Sequence, residues 1–329
     1  MKSIFAFSFL SLLLITISCR SQEKRVQLRI LNDQLNDIIS SKSQIKELDK
    51  EFQFTEGPLW SVDGYWLFSD IPANTIYKVD ENLNITTFRV PSNNSNGLSF
   101  DKNKNLIICE HGSRSLGMLL ADGKTYKTLI DNFEGKKFNS PNDLCITKEG
   151  KIIFTDPCWG LSGFENSKDK EVLQNGVYIL NNNEISIIDE KLFRPNGVTL
   201  SPDEKTLYVA EWFKNNDEPK TKVYIKYRWE KSDIGEVFNF DKIVEIDRPQ
   251  IPIFAKPGGF DGMKTDIEGN IYCAGQDGIY VFNKEDLFLG VILFPNHITN
   301  LNWGGKDFKT LMITMAERIF FIDCLIQGK

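Results

Sequence analysis

The sequence predicts an all-β fold, a six-bladed β-propeller with a central metal site. Two observations carry this. Six times an acid or amide residue stands just before an apolar, strand-like run: Glu56 in EGPLW, Asn96 in NGLSF, Asn142 in NDLCI, Asn196 in NGVTL, Asp261 in DGMKT and Asn300 in NLNW, at steps of 40, 46, 54, 65 and 39 residues. After most of them come a turn rich in Asp, Gly, Lys or Asn and a second β-rich run: SVDGYWLFSD, DKNKNLIICE, TKEGKIIFTD, SPDEKTLYVAE, DIEGNIYCAG and GKDFKTLMITM. A repeat of roughly 40–50 residues made of short strands marks a propeller, because a single blade cannot bury its own faces and a closed ring can.

The elements follow in chain order. Residues 1–18 hold Lys2 and then the apolar run IFAFSFLSLLLITI, too short and too early for a spanning helix; they read as a secretory signal. ITISC ends that run, and Cys19 followed by RSQEKR resembles a bacterial lipobox with Thr16 where Leu is usual. The protein is therefore expected to be exported, in the periplasm or held at a bacterial membrane by a lipid on Cys19; a simply cleaved signal is the alternative. Residues 19–43 read as a polar tether with room for a short helix, and residues 44–329 as the propeller. QIKELDKEF is expected to add a strand to the last blade beside LMITMAERIFFIDCLI, closing the ring and hiding its sheet edges. NTIYKVD, NGVYILN, KVYIKYRW and DGIYVFN supply outer strands, and the longer steps are insertions after Trp159 and after Trp212.

Composition narrows the partners. A net charge of −6 without a basic run argues against nucleic acid. The five cysteines beyond Cys19 show no CxxC spacing, which argues against zinc; Cys109 and Cys273 take matching strand positions and read as buried apolar residues. A monomer is expected, touching a membrane only through the N-terminal lipid.

If corresponding points of all blades converge on one axis, the six acid and amide side chains meet at one mouth of the channel. No basic residue stands among them, and such a set is costly to bury unless a cation satisfies it. Asn-Gly and Asp-Gly pairs often make turns, but turn chemistry requires neither a fixed phase in every repeat nor Glu56. Hard divalent cations prefer this oxygen set, and Glu56 and Asp261 would balance a 2+ charge. Ca²⁺ comes first, with Mg²⁺, Mn²⁺ or Zn²⁺ as alternatives.

EGPLW, NSPNDLCITKEGKIIFTDPCWG, RPNGVTLSPDEKTLYVAEW and GGFDGMKTDIEGNIYCAG, with CEHGSR after the second repeat, resemble the gluconolactonase/regucalcin (senescence marker protein) family, in its bacterial gluconolactonase-like branch. The resemblance spans about residues 50–320. It implies a six-bladed propeller that opens sugar lactones with a divalent metal on its axis. It implies Glu56, Asn196 and Asp261 as metal ligands, Asn142 at both metal and substrate, and Asp261 as proton acceptor and donor. In the animal branch an Arg precedes the matching Asn by two residues; here that place is Ser140, so recognition by that Arg does not carry over.

Other positions near the mouth are His111, Asn96 and Trp159 as substrate contacts, with His297, Trp212 and Asn300 as further neighbours. Asp156 is either a partner orienting Asn142 or a turn cap. The expected reaction is metal-assisted hydrolysis of a lactone. The alternatives are a phosphotriesterase or aryl-esterase activity and a non-catalytic propeller that captures a sugar acid or a protein. No G-x-S-x-G elbow is present, and two histidines leave little for a nucleophilic triad.

Overall fold

The computed structural model describes residues 25–212, 222–231, 238–247 and 259–329. The expected signal and Cys19 lie outside the described residues. The chain forms an all-β propeller. Its described part contains five four-stranded sheets, one five-stranded sheet and a two-stranded ribbon. The inner strands are Thr55–Ser61, Ser95–Phe100, Leu144–Ile146, Pro195–Leu200, Met263–Thr265 and Asn300–Gly304. Each packs against the next, and the last packs against the first, so the ring is closed.

Every inner strand begins within two residues of one of the six acid or amide residues. Three of them carry a register shift where the ring residue sits, between Glu56 and Leu59, between Ser95 and Leu98, and between Pro195 and Val198. Such a bulge bends the strand and re-aims a side chain, here towards the axis. The glycines that follow the ring residues are not turn residues. They lie where neighbouring inner strands nearly touch: a Cβ on Gly97 would sit 2.7 Å from the Asn142 carbonyl oxygen, and one on Gly197 would sit 2.3 Å from that of Asp261. The Gly97 and Gly197 N–H groups donate to those same oxygens at 2.8 and 3.0 Å. Hydroxyls from second strands add to the stitching: Ser69 Oγ donates to the Asn96 carbonyl at 2.8 Å, and Thr155 Oγ1 to the Asn196 carbonyl at 2.7 Å.

Acids that close the second strands have a repeated task. Asp70 accepts the N–H groups of Gln53 and Phe54, Asp156 those of Asn139 and Ser140, and Glu211 that of Phe193. Each fixes the backbone entering a ring position. Asp156 is therefore a cap of that entry turn, bonded to the Asn139 and Ser140 N–H groups and not to the Asn142 side chain.

Ile45–Glu47 pairs with Arg318–Asp323 in the last sheet, with Ile45 opposite Ile322. The tether expected over residues 19–43 is corrected for its described part. Gln27–Ile30 pairs with Phe288–Leu293 as the fifth strand of its sheet, and a short helix, Leu35–Ile38, follows. The scattered apolar residues of this polar stretch are the reason: Val26, Leu35, Ile38 and Ile39 are buried in a core cluster with Leu289 and Ile292. Cys109 and Cys273 are buried as expected, and the five described cysteines are all free. No described helix is long and apolar enough to cross a membrane.

Candidate active site

One mouth of the ring opens into a cavity of about 380 Å³ lined by Phe54, Glu56, Ile71, Pro72, Asn96, His111, Asn142, Trp159, Asn196, Trp212, Asp261 and His297. Five of the six ring residues and both histidines are among them. The sixth, Asn300, is absent from the lining. Its Nδ2 donates to Glu56 Oε2 at 3.0 Å while its Oδ1 accepts the Leu301 N–H, so Asn300 holds Glu56 and does not face a ligand. Gly57 N–H also donates to Glu56 Oε2, at 3.0 Å.

The two ring carboxylates are buried together. Burial pushes the Glu56 carboxyl well up from its ordinary value, and the negative charges of Asp261 and Asp143 push it further. Burial also raises Asp261, against the pull of His297, whose Nε2 lies 2.7 Å from Asp261 Oδ2. Asp143 follows Asn142 directly in the sequence. It is a third buried carboxylate near the two, with Lys264 Nζ 3.5 Å from its Oδ2. Glu56 and Asp261, raised by burial and by nearby negative charge, form a site that a cation would relieve. Among the described residues no group of three or more His, Cys, Asp or Glu is placed to hold a metal ion. A cation here therefore needs the amide oxygens of Asn142 and Asn196 beside Glu56 and Asp261, and that all-oxygen set fits a hard divalent ion.

The same cavity has an aromatic wall. Trp159 and Trp212 meet edge to face at 6.1 Å, and Trp212 meets His297 at 5.2 Å. His111 is buried within the cavity and is no rim residue. Burial pushes it down to about 4, so at neutral pH it is uncharged, 3.2 Å from Asn96 Nδ2. Asn96 Oδ1, Trp159 Nε1 and His297 Nδ1 are buried polar atoms without a hydrogen-bond partner among the described residues. Buried polar groups normally find partners, so these three stand unsatisfied among the residues of the cavity wall.

Two features escaped the sequence reading. Arg194, two residues before Asn196, is buried and lies over the Trp159 ring at 4.1 Å. Its guanidinium makes a two-pronged ion pair with Glu165 of the insertion, Nη2 to Oε2 at 2.6 Å and Nε to Oε1. Ser140 is turned into the structure, donating to the Pro157 carbonyl and accepting the Gly160 N–H at 2.8 Å. It braces the loop that carries Trp159.

Residues 54–317 match the family model described as the SMP-30/gluconolactonase/LRE-like region. The chain belongs to that family. Within reach of its members, a gluconolactonase of Zymomonas mobilis is 30% identical over 302 residues, covering 87% of this chain and 82% of that protein. A solved gluconolactonase of Xanthomonas campestris superposes with a TM-score of 0.77 at 24% identity, over 92% of this chain and 97% of that one. A calcium-binding regucalcin of Agrobacterium tumefaciens superposes with a TM-score of 0.67 at 15% identity, over 86% and 94%. At those identities the two structures show a shared fold. The family membership of the chain supports lactone hydrolysis.

Proposed function

We propose that this protein is a gluconolactonase-like hydrolase that opens lactones with the help of one divalent cation held by Glu56, Asn142, Asn196 and Asp261 at the axis of a six-bladed ring. The observation that carries the reading is the convergence of these four side chains, from four different repeats, on one cavity. The relatives named as gluconolactonases point to the ester of a lactone, and the regucalcin neighbour, described as calcium-binding, favours Ca²⁺.

A cation held by Glu56, Asn142, Asn196 and Asp261 would supply Lewis-acid polarisation of the lactone carbonyl and stabilise the negative charge that develops there. The protein's own groups do the rest. Asn142 would serve both the cation and the substrate. Asp261 takes the proton of the water that adds to the carbonyl carbon, and returns it to the ring oxygen as the C–O bond breaks. His297 holds the second Asp261 oxygen in place for that exchange. Asn96, His111 and Trp159 line the space around the substrate, with Asn96 Oδ1 and Trp159 Nε1 free to bind it.

The test is lactone hydrolysis by the full chain, with and without EDTA, across glucono-δ-lactone and dihydrocoumarin, with Ca²⁺, Mg²⁺, Mn²⁺ or Zn²⁺ restored. Turnover that needs a cation and is lost in Glu56→Gln supports the reading. No turnover of any lactone with cation bound would leave a binding propeller. The lipobox-like ITISC carries the companion proposal of an exported lipoprotein: Cys19→Ala would move the protein from the membrane to the soluble fraction. Unchanged partitioning would remove it.

A further inference from the structure

We propose that the cavity selects a neutral lactone carrying an apolar substituent, an alkyl chain or aromatic ring on the carbon next to the ring oxygen, over a polyhydroxylated or charged one. This rests on the lactone-hydrolase reading and names the substrate class of that same site.

The lining is divided. A carbonyl directed at Glu56, Asn142, Asn196 and Asp261 leaves the remainder of the substrate against Phe54, Ile71, Pro72, Trp159 and Trp212. These offer the substituent hydrocarbon and ring faces. At about 380 Å³ the cavity is of the size that binds small molecules.

The apolar surface continues out of the cavity. Phe54, Phe164 and Phe193 are 37%, 43% and 40% exposed. Phe54 belongs to the lining itself, Phe164 meets Trp159 edge-on at 5.7 Å, and Phe193 shares with Trp159 the guanidinium of Arg194. Exposed aromatics gathered beside a site, and continuous with it, mark a place where apolar ligand surface is removed from water.

Charge and hydrogen bonding point the same way. No Lys or Arg is among the described lining residues. The guanidinium near the wall, that of Arg194, is consumed by Glu165 beneath Trp159, and Ser140 is turned into the structure. A phosphate or carboxylate on the part of the substrate that lies against the apolar wall would lose its water with no Lys or Arg among the described lining residues to meet it. The part of the lining made by Phe54, Ile71 and Pro72 offers no side-chain partner to the hydroxyls of a sugar lactone, each of which would lose its water on entry.

The experiment compares kcat/KM of the cation-loaded full chain for three six-membered lactones: δ-valerolactone, δ-decalactone and glucono-δ-lactone. The first two differ only by a pentyl chain. The expected result is a preference for δ-decalactone over both others of about 30-fold or more, since one methylene in an apolar pocket is worth about tenfold or more when fully enclosed. In Ile71→Asn and in Phe54→Ser, each checked for folding by its thermal melt, the decalactone-to-valerolactone ratio should fall towards one. Equal rates for the two, or a preference for glucono-δ-lactone, would overturn the inference and leave the lactonase intact. Failure to open any of the three with cation bound would overturn the lactonase reading, and this inference with it.

Discussion

His297 Nε2 lies 2.7 Å from Asp261 Oδ2 across 36 residues of sequence. Asp261 stands at the entry to one inner strand, and His297 precedes the next. The contact therefore joins two repeats at the point where both reach the cavity. It occupies one carboxylate oxygen, and the Asn196 side chain donates a further hydrogen bond to the same carboxyl. His297 in turn packs against Trp212, so the aromatic wall and the carboxylate are mechanically linked.

Removing that histidine should damage turnover more than binding. His297→Ala is expected to lower kcat by about 100-fold, the lower end of what a positioned proton-transfer group contributes. KM should change only a few fold, while Ca²⁺ affinity should fall by about 10-fold, because His297 orients a proposed ligand. Steady-state kinetics with a Ca²⁺ titration of the same preparation check this. A normal kcat would confine His297 to packing.

The Asn300–Glu56 hydrogen bond predicts a metal phenotype at a residue that does not line the cavity. Asn300→Leu leaves Glu56 Oε2 with the Gly57 N–H alone. Loss of such an orienting partner typically weakens metal binding by about 10- to 100-fold. Ca²⁺ at one hundred times its Kd should stabilise the wild type by about 2.7 kcal/mol, visible as a higher Tm. At that same concentration Asn300→Leu should gain much less, and Glu56→Gln nothing. A Tm that EDTA and Ca²⁺ leave unchanged in the wild type would argue against a cation at this site.

Much of this was legible in the sequence, for a physical reason. A ring of equivalent blades imposes one period on the chain, so the phase of Glu56, Asn96, Asn142, Asn196 and Asp261 could be read before any coordinates. The closing strand at Ile45–Glu47 was legible because a ring must seal its edge. The strand at Gln27–Ile30 was not: three or four apolar residues among charges give no periodic signal, and their burial depends on a groove that exists only after the blades assemble. Asn300 shared the phase of the ring, but phase does not tell whether a side chain faces the cavity or its neighbour. Arg194 and Glu165 lie 29 residues apart and met no rule of spacing. Asp156 could have been recognised as a cap, since Asp70, Glu110 and Glu211 end their strands in the same phase.

Asp156 gives a pH prediction. Burial pushes its carboxyl up to about 7 from 3.8, in spite of the two backbone donors. An acid with a raised folded pKa binds more protons when folded, so its contribution to stability falls as pH rises from about 4 to about 7, by up to about 4 kcal/mol. Asp156→Asn cannot titrate and loses one acceptor. It should therefore be clearly less stable than the wild type at pH 5, with the gap narrowing by pH 8. Urea unfolding at both values measures it. A gap that widens with pH would mean that the two N–H groups keep the carboxylate ionised throughout.

Glu165 and Arg194 give the opposite sign. The Arg194 hydrogen bonds hold the Glu165 carboxyl down to about 2. The stability this pair adds is present above the ordinary glutamate value and is lost as pH falls towards 2. Arg194 is only 3% exposed, whereas Glu165 keeps 29% of its side-chain surface. Glu165→Gln thus strands a buried guanidinium, a loss of about 3 kcal/mol at the low end for a broken buried pair. It also frees the Trp159 ring that Arg194 backs, so KM should rise several fold while Ca²⁺ affinity holds. Replacing both partners, in Glu165→Leu/Arg194→Leu, removes the stranded charge and should recover most of the stability, but not the KM, because the stacking surface behind Trp159 is gone. Melts at pH 7 and pH 3 with parallel kinetics separate these effects. If the double variant regained a normal KM as well, the pair would serve stability alone, and the wall of the cavity would owe its position to the loop braced by Ser140.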